Sequence, residues 1–567
     1  MKCRKIRIVS NHLCVIFVSF SSALAASAAT WQLDEALPSE GRPNPLGLDD
    51  EPLAAAVLRG KKHALNYPVE VTGEAIPKDA ALRFFKTQFS FSPVFSVLQN
   101  VFKRVADMRS FSDLERMVGL VDYPESEGSG VYFVPMPNGQ RPWFKMGTSF
   151  FEAAEGPALT FSCVTCHAGE LFGRKIIGLN NRFPRANEFF LMGRTATSVV
   201  PPALFKASVN ATPSELLMYR RLRENARFID GRKPLVRGLD TSLAHVALSL
   251  SRRAADGFAS KTEQARTFPR DSLLRHQPAD SKPAVWWNVK YKNKWLLDGS
   301  VVSGNPIFTN ILWNEIGRGT DLVELLQWLE RNNSVVNDLT AAVFSSQAPA
   351  FLDFFPDTHF DLNRVRNGQK LFNNNCAFCH GQYVKGFERA NAEGQSLREM
   401  LATIKVSYHK NTPVINVGTD PLRAQGMQAL ADPLNSLEVS KVNNIVVKVQ
   451  QGYVPPPLVG IWARWPYMHN NSMPTLCAVL TPAAQRPVAW DVGEARSEST
   501  DFDARCNGYP LGDKAPNVWK KNRWGHFDVR RAGMSNRGHD EGIFLKNGRS
   551  RFSEDDILDL VQYLQTL

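Results

Sequence analysis

Two C-x-x-C-H motifs constrain this chain more than any other feature: Cys163-Val-Thr-Cys166-His167 and Cys376-Ala-Phe-Cys379-His380. Two thiols at this spacing can each add to one vinyl group of a porphyrin, and the adjacent His then offers its imidazole to the iron. Zinc would need further Cys or His clustered nearby, and none stands there. A thioredoxin-like pair does not require the His at both sites. The expected cofactors are therefore two covalently bound haem c groups, with His167 and His380 as the iron ligands on the motif side. Calcium is admitted as a further cofactor.

The remaining cysteines describe the compartment. Of eight in all, Cys3 and Cys14 fall in the first 28 residues, and four sit in the two motifs. The first 28 residues read as a secretory leader. Lys2, Arg4, Lys5 and Arg7 precede an apolar run from about Leu13 to Ala25, and small residues follow in A-x-A spacing. Export to the periplasm or beyond is expected, into an oxidising compartment where leftover thiols pair. The two left over are Cys477 and Cys506, so a Cys477–Cys506 disulfide is expected. No later stretch is long and apolar enough to span a bilayer, so no integral membrane segment is expected after cleavage. The net charge is +12, with basic residues scattered as pairs such as Arg252-Arg253. That is a solvated surface rather than a nucleic-acid stripe.

Apolar residues make up 43% of the chain, enough for a sizeable core. The pattern predicts a mainly α protein of two c-type cytochrome domains, with long irregular loops and few short strands. An N-terminal haem domain is expected over residues 29–350, a linker over 351–361 and a C-terminal cytochrome domain over 362–567. Helices are expected at 53–65, 216–228 and 322–329, the last capped by Thr320. Ser112-Asp-Leu-Glu115 reads as a capping box with Phe111 as its staple. Short strands are expected near 131–134 and 286–295. Val365, Leu371 and Phe372 lie on one helical face just before the second motif, with Gly368 small enough for another helix to approach. Ser553-Glu-Asp-Asp556 opens a final helix with Ile557, Leu560, Val561 and Leu564 on one face. Two such helices crossing over the haem are the ends of a cytochrome c domain.

The second iron's other ligand should come from the loop before that final helix, which offers His526, Met534 and His539. His539, in a Gly-flanked turn, is favoured. Met534 would give a higher potential. No such ligand is evident for the first haem. His245 sits on an apolar helix face and reads as a packed core histidine, and His63 and His276 lie in polar stretches. An open position on the first haem would admit peroxide or dioxygen. The run from Pro455 to Leu476 is rich in aromatics. In it Arg464 could pair with a haem propionate, and Trp465 or Tyr467 could carry electrons.

Several of these features together resemble the bacterial di-haem cytochrome c peroxidase superfamily. They are the two motifs, the segment PPLVGIWARWPYMHNNSMPTL, Val417-Gly-Thr-Asp420-Pro, and the Gly538-His539 turn before the last helix. The length and the Cys477/Cys506 region are most similar to the larger di-haem proteins related to rubber oxygenases. The resemblance implies an oxidoreductase with divided labour. The His167 haem would meet the oxidant, and the His380–His539 haem would exchange electrons with a redox protein donor or acceptor. In the peroxidase branch a Trp lies between the haems beside a Trp-Asp-Gly-Arg motif. Here the chain reads Lys294-Trp295-Leu-Leu-Asp298-Gly299-Ser300, which offers Trp295 as the relay. A non-enzymatic electron carrier and an oxygenase of apolar polymers are the alternatives.

Overall fold

The computed structural model describes residues 28–86, 109–240, 243–267, 270, 272–522 and 525–567. The expected leader, with Cys3 and Cys14, lies outside the described residues. Helices predominate, and no described strand exceeds six residues.

Two close helix pairs organise the chain. The helix Asp50–Leu65 (α1) lies along Asn333–Phe344 (α2). Ala56, Gly60 and Ala64 are buried at four-residue spacing, which keeps one face of α1 thin enough for close approach. A Cβ on Gly60 would fall 1.9 Å from the Asp338 carbonyl oxygen, so no side chain fits there. Arg59 clamps the pair by donating from Nε and Nη2 to the two Asp338 carboxylate oxygens, each at 2.8 Å.

The second pair is Leu362–Asn375 (α3) with Glu554–Gln565 (α4). Val365 and Phe372 bury against Leu560, Val561 and Leu564. Here too a glycine sits at the crossing, since a Cβ on Gly368 would lie 2.0 Å from the Asp559 carbonyl oxygen. Ser553 starts α4: its hydroxyl accepts from the Asp556 N–H, and the Asp556 carboxylate accepts from the Ser553 N–H at 2.9 Å.

Several local expectations shift. The helix Phe111–Val118 is boxed by Ser110 and Asp113 rather than Ser112 and Glu115. Glu115 is buried and accepts instead from the Lys145 N–H and the Thr148 hydroxyl. Leu322–Arg331 is capped by Asp321, whose carboxylate accepts from the Val323 and Glu324 N–H groups. Thr320 turns inward and donates to Glu315. Residues 130–132 and 286–291 form 3₁₀ turns rather than strands. In the latter, neighbouring tryptophans are drawn to different places: Trp286 packs near His167, and Trp287 donates to the Val459 carbonyl.

An antiparallel hairpin, Thr148–Ala153 with Gly156–Phe161, carries Ile76–Pro77 on its other edge. Its second strand runs straight into Cys163. Two large groups of buried apolar side chains follow. The first joins α2 and its neighbours to residues 427–447. The second joins Leu171, Ile176, Leu239 and Trp287 to α3, α4 and the 458–480 region. Phe351 and Phe360, within 351–361, are buried in it. Among the described residues no helix is long and apolar enough to cross a membrane.

Candidate haem-binding site

Each motif folds as one helical turn, Val164–His167 and Ala377–His380, entered from its first cysteine. Residues at i, i+3 and i+4 share a helix face. That places Cys163, Cys166 and His167 on one side of the first turn, and Cys376, Cys379 and His380 on one side of the second. None of the four motif cysteines is in a disulfide.

Both motif histidines are oriented by a backbone carbonyl. His167 Nδ1 lies 2.9 Å from the Ala284 oxygen and His380 Nδ1 lies 2.9 Å from the Pro456 oxygen. A carbonyl only accepts, so in each ring Nδ1 carries the proton and Nε2 keeps its lone pair free. Burial pushes His167 down to about 4 and lowers His380 as well. Both imidazoles are therefore neutral near pH 7, the form that binds a metal.

The Pro455-Pro456-Pro457 run explains the second carbonyl. Proline has no N–H and cannot enter a helix interior, so its carbonyls stay available to others. Tyr408 donates to Pro455, His380 to Pro456, and Asn288 and Arg464 to Pro457.

The three loop candidates separate cleanly. His526 is exposed and paired with Asp491. Met534 is buried in the second apolar group. His539 faces His380, with ring centroids 6.3 Å apart and planes 17° from parallel. Two imidazoles bound from opposite sides of one metal, at about 2 Å each, have centroids about 6 Å apart. His539 Nδ1 is buried with no hydrogen-bond partner, and burial beside His380 pushes the ring down to about 3. Its backbone takes a left-handed φ of 54°, after Gly538 at 104°. A Cβ on Gly538 would lie 2.8 Å from the Thr419 hydroxyl, so the turn seats against Val417-Gly-Thr-Asp420. The His539 N–H donates to the Val417 oxygen, and Arg486 donates to the Gly538 carbonyl.

Among the described residues His167 has no such counterpart. Among the described residues its ring contact is Trp286, with centroids 6.0 Å apart. His245 spends both nitrogens, on Asn187 at 2.9 Å and the Gly317 carbonyl at 2.7 Å, and is a core histidine. His276 is exposed, and His63 lies 3.7 Å from Asp338.

Arg464 is buried and donates to the Pro457 carbonyl at 3.2 Å. Lys282 and Lys292 lie within its electrostatic reach and are buried too. Among the described residues none of the three makes an ion pair with a carboxylate, and Lys282 Nζ donates instead to the Arg464 and Pro466 carbonyls. Burial lowers all three, Arg464 to about 10 and Lys292 to about 8. Lys282 and Lys292 carried no motif signal, and only their burial reveals them.

Trp295 is buried beside Trp31, with centroids 6.2 Å apart, and its Nε1 lacks a partner. Asp298 is fully buried, accepts from the Ser300 hydroxyl at 2.9 Å and pairs with Arg423 at 3.3 Å. A guanidinium from a distant segment thus pairs with Asp298 beside Ser300. Cys477 and Cys506 are joined as a disulfide, with Cα atoms 5.1 Å apart. Among the described residues no group of three or more His, Cys, Asp or Glu could hold a metal ion.

A family model described as RoxA-like, cytochrome c-like matches residues 452–491. That stretch holds the proline run, Arg464, the aromatic segment and Cys477. The chain is 26% identical over 249 residues to the uncharacterized protein y4iM of Sinorhizobium fredii, covering 38% of this chain and 52% of that protein. It is 32% identical over 123 residues to the uncharacterized protein y4iJ of the same organism, covering 21% of this chain and 19% of that one. The matched regions thus span about half of one curated relative and about a fifth of the other. The match supports a RoxA-related c-type cytochrome of haem c oxidoreductase type, and implies haem c as cofactor.

Proposed function

We propose that this chain is an exported di-haem oxidoreductase in which the His167 site meets peroxide or dioxygen and the His380–His539 site relays electrons. The observation that carries it is the asymmetry of the two histidine sites. His380 faces a second imidazole at 6.3 Å, whereas His167 faces none among the described residues.

The residues present fit haem at both motifs. Each offers two thiols and a neutral imidazole on one face of a helical turn. Arg464, Lys282 and Lys292 are buried basic groups with no ion-paired carboxylate among the described residues, which suits the propionates. Cys163, Cys166 and His167 would hold a haem that would supply oxidant binding and electron exchange, and Cys376, Cys379, His380 and His539 would hold one that would supply electron exchange. The protein does the rest. The Ala284 and Pro456 carbonyls hold the imidazole tautomers, and the Gly538 turn fixes His539. Trp286 packs against the His167 ring, and Trp295 belongs to the first buried apolar group. Trp295 is assigned as a relay between the sites.

The test is an electron paramagnetic resonance spectrum of the ferric protein, with and without peroxide. A high-spin signal that responds to peroxide, beside a low-spin bis-histidine signal, is expected. In His539→Ala the low-spin signal should be lost and the high-spin one kept. Two low-spin signals inert to peroxide would leave an electron carrier instead.

The resemblance to the rubber-oxygenase branch favours a second reading, oxygenation of an apolar polymer. Dioxygen uptake that depends on an added polyisoprene emulsion would select it, and uptake indifferent to the polymer would exclude it.

A further inference from the structure

A cleft of about 1050 Å³ opens beside the first motif, lined by eight Lys or Arg and five Asp or Glu. Six of the cations pair with those acids: Arg116 with Asp113, Lys145 with Asp122, Lys175 with Glu170, Arg185 and Lys233 with Glu188, and Arg496 with Glu494. Arg182 and Arg237 pair with none. They are neighbours, because both also line a small pocket beside Tyr509 and Phe527.

Arg182 is buried, and its donors go to neutral acceptors. Nε donates to the Trp465 carbonyl at 2.9 Å, Nη2 to Ala463 at 3.0 Å and Nη1 to Glu170 at 3.3 Å. Its guanidinium carbon sits 3.8 Å from the Trp465 ring centroid. These contacts use three of its five N–H donors and bring it no carboxylate. Arg237 goes further, since its Nε is buried with no hydrogen-bond partner. A buried donor left unmade is costly, and the carboxylates that reach Arg237 electrostatically, Glu494 and Glu188, are already ion-paired with Arg496, Arg185 and Lys233. An anion entering the cleft supplies the missing acceptor.

We propose that the cleft binds a small organic anion whose carboxylate or phosphate group is taken by Arg237 and Arg182. The volume is far more than one inorganic ion needs and matches organic ligand sites. The charged lining calls for a polar ligand body, so an apolar polymer does not fit. Planar guanidinium groups suit the oxygens of carboxylates and phosphates. The position also matters. Arg182 holds the carbonyls on either side of Arg464, and its neighbour Asn181 donates to the Thr165 carbonyl within the first motif. An occupant therefore abuts the segments of both histidine sites.

Isothermal titration of the haem-loaded protein at low ionic strength tests this, with citrate and inorganic phosphate as separate probes. Saturable citrate binding that weakens with added salt is expected. Arg237→Gln should weaken it by about tenfold or more, with the haem spectrum of the free protein unchanged. Glu494→Gln removes a competing negative charge and should tighten it, which keeps the test alive where the arginine variant does not fold. Heat that saturates with neither anion overturns the proposal, as does affinity that both substitutions leave alone. Saturation with phosphate but not citrate overturns the organic ligand.

Discussion

A single carbonyl oxygen decides the protonation pattern of each motif histidine, and both carbonyls lie far away in sequence. Ala284 and Pro456 are more than seventy residues from the rings they orient. The same logic of burial applies to Glu74, which is buried, accepts from Thr160 at 3.3 Å and lies 3.9 Å from Arg318. Burial pushes its carboxyl up to about 7 from 4.5. A folded-state value above the unfolded one means the stability it contributes is complete below about pH 4.5 and is lost as pH rises through about 7. Replacing it with Gln should flatten that loss by up to about 3 kcal/mol, read from urea unfolding at about pH 5 and about pH 8. An unchanged pH slope in Glu74→Gln would show that the carboxyl is ionised throughout. The candidate haem-binding residues of the two motifs were legible at this scale because their chemistry has fixed spacing. His539 announced itself by a glycine neighbour, which the left-handed turn uses. Lys282, Lys292 and Arg423 were not legible, because their roles rest on burial and on partners more than a hundred residues away.

At the scale of elements, glycine placement is what lets helices cross closely. Gly368 was readable as an approach point because it falls on the face that carries Val365 and Phe372. Gly60 gave no such warning, since α1 reads as an ordinary exposed helix until α2 is laid against it. A Cβ 2.0 Å from the Asp559 oxygen meets backbone, which cannot rotate away. Gly368→Ala should therefore separate α3 from α4 and cost about 3 kcal/mol, the upper end for overpacking. Ser553→Ala, which removes only the cap of α4, should cost about 1 kcal/mol. Chemical denaturation of the haem-loaded variants gives both values, and equal costs would mean that the crossing is looser than drawn. Caps were misplaced by a residue or two where several Ser, Thr and Asp compete. At Ser110 and Asp321 the winner is the residue whose oxygen meets the first free N–H groups, while Glu115 and Thr320 are taken by buried partners.

Across the whole molecule, neither apolar group respects the sequence boundary expected near 351–361. The first draws Met427, Leu430, Leu434 and Val447 into a core made chiefly by the N-terminal part. The second draws Leu171, Ile176, Leu239 and Trp287 into the core around α3 and α4. Helical spacing and motif position could suggest two units, because periodicity reports which face is buried and not against what. Exchanging this many large side chains across a boundary couples the stability of the two sides, since removing either exposes apolar surface worth about 25 cal/mol per Å² on the other. Thermal unfolding of the haem-loaded protein should therefore show one transition, with the haem absorbance lost in the same step. The chain 362–567 made alone should lack the partners of its own core and should not give a stable low-spin haem. Two well-separated transitions, or a folded 362–567 fragment with a bis-histidine spectrum, would instead establish two cytochrome units that fold independently and merely touch.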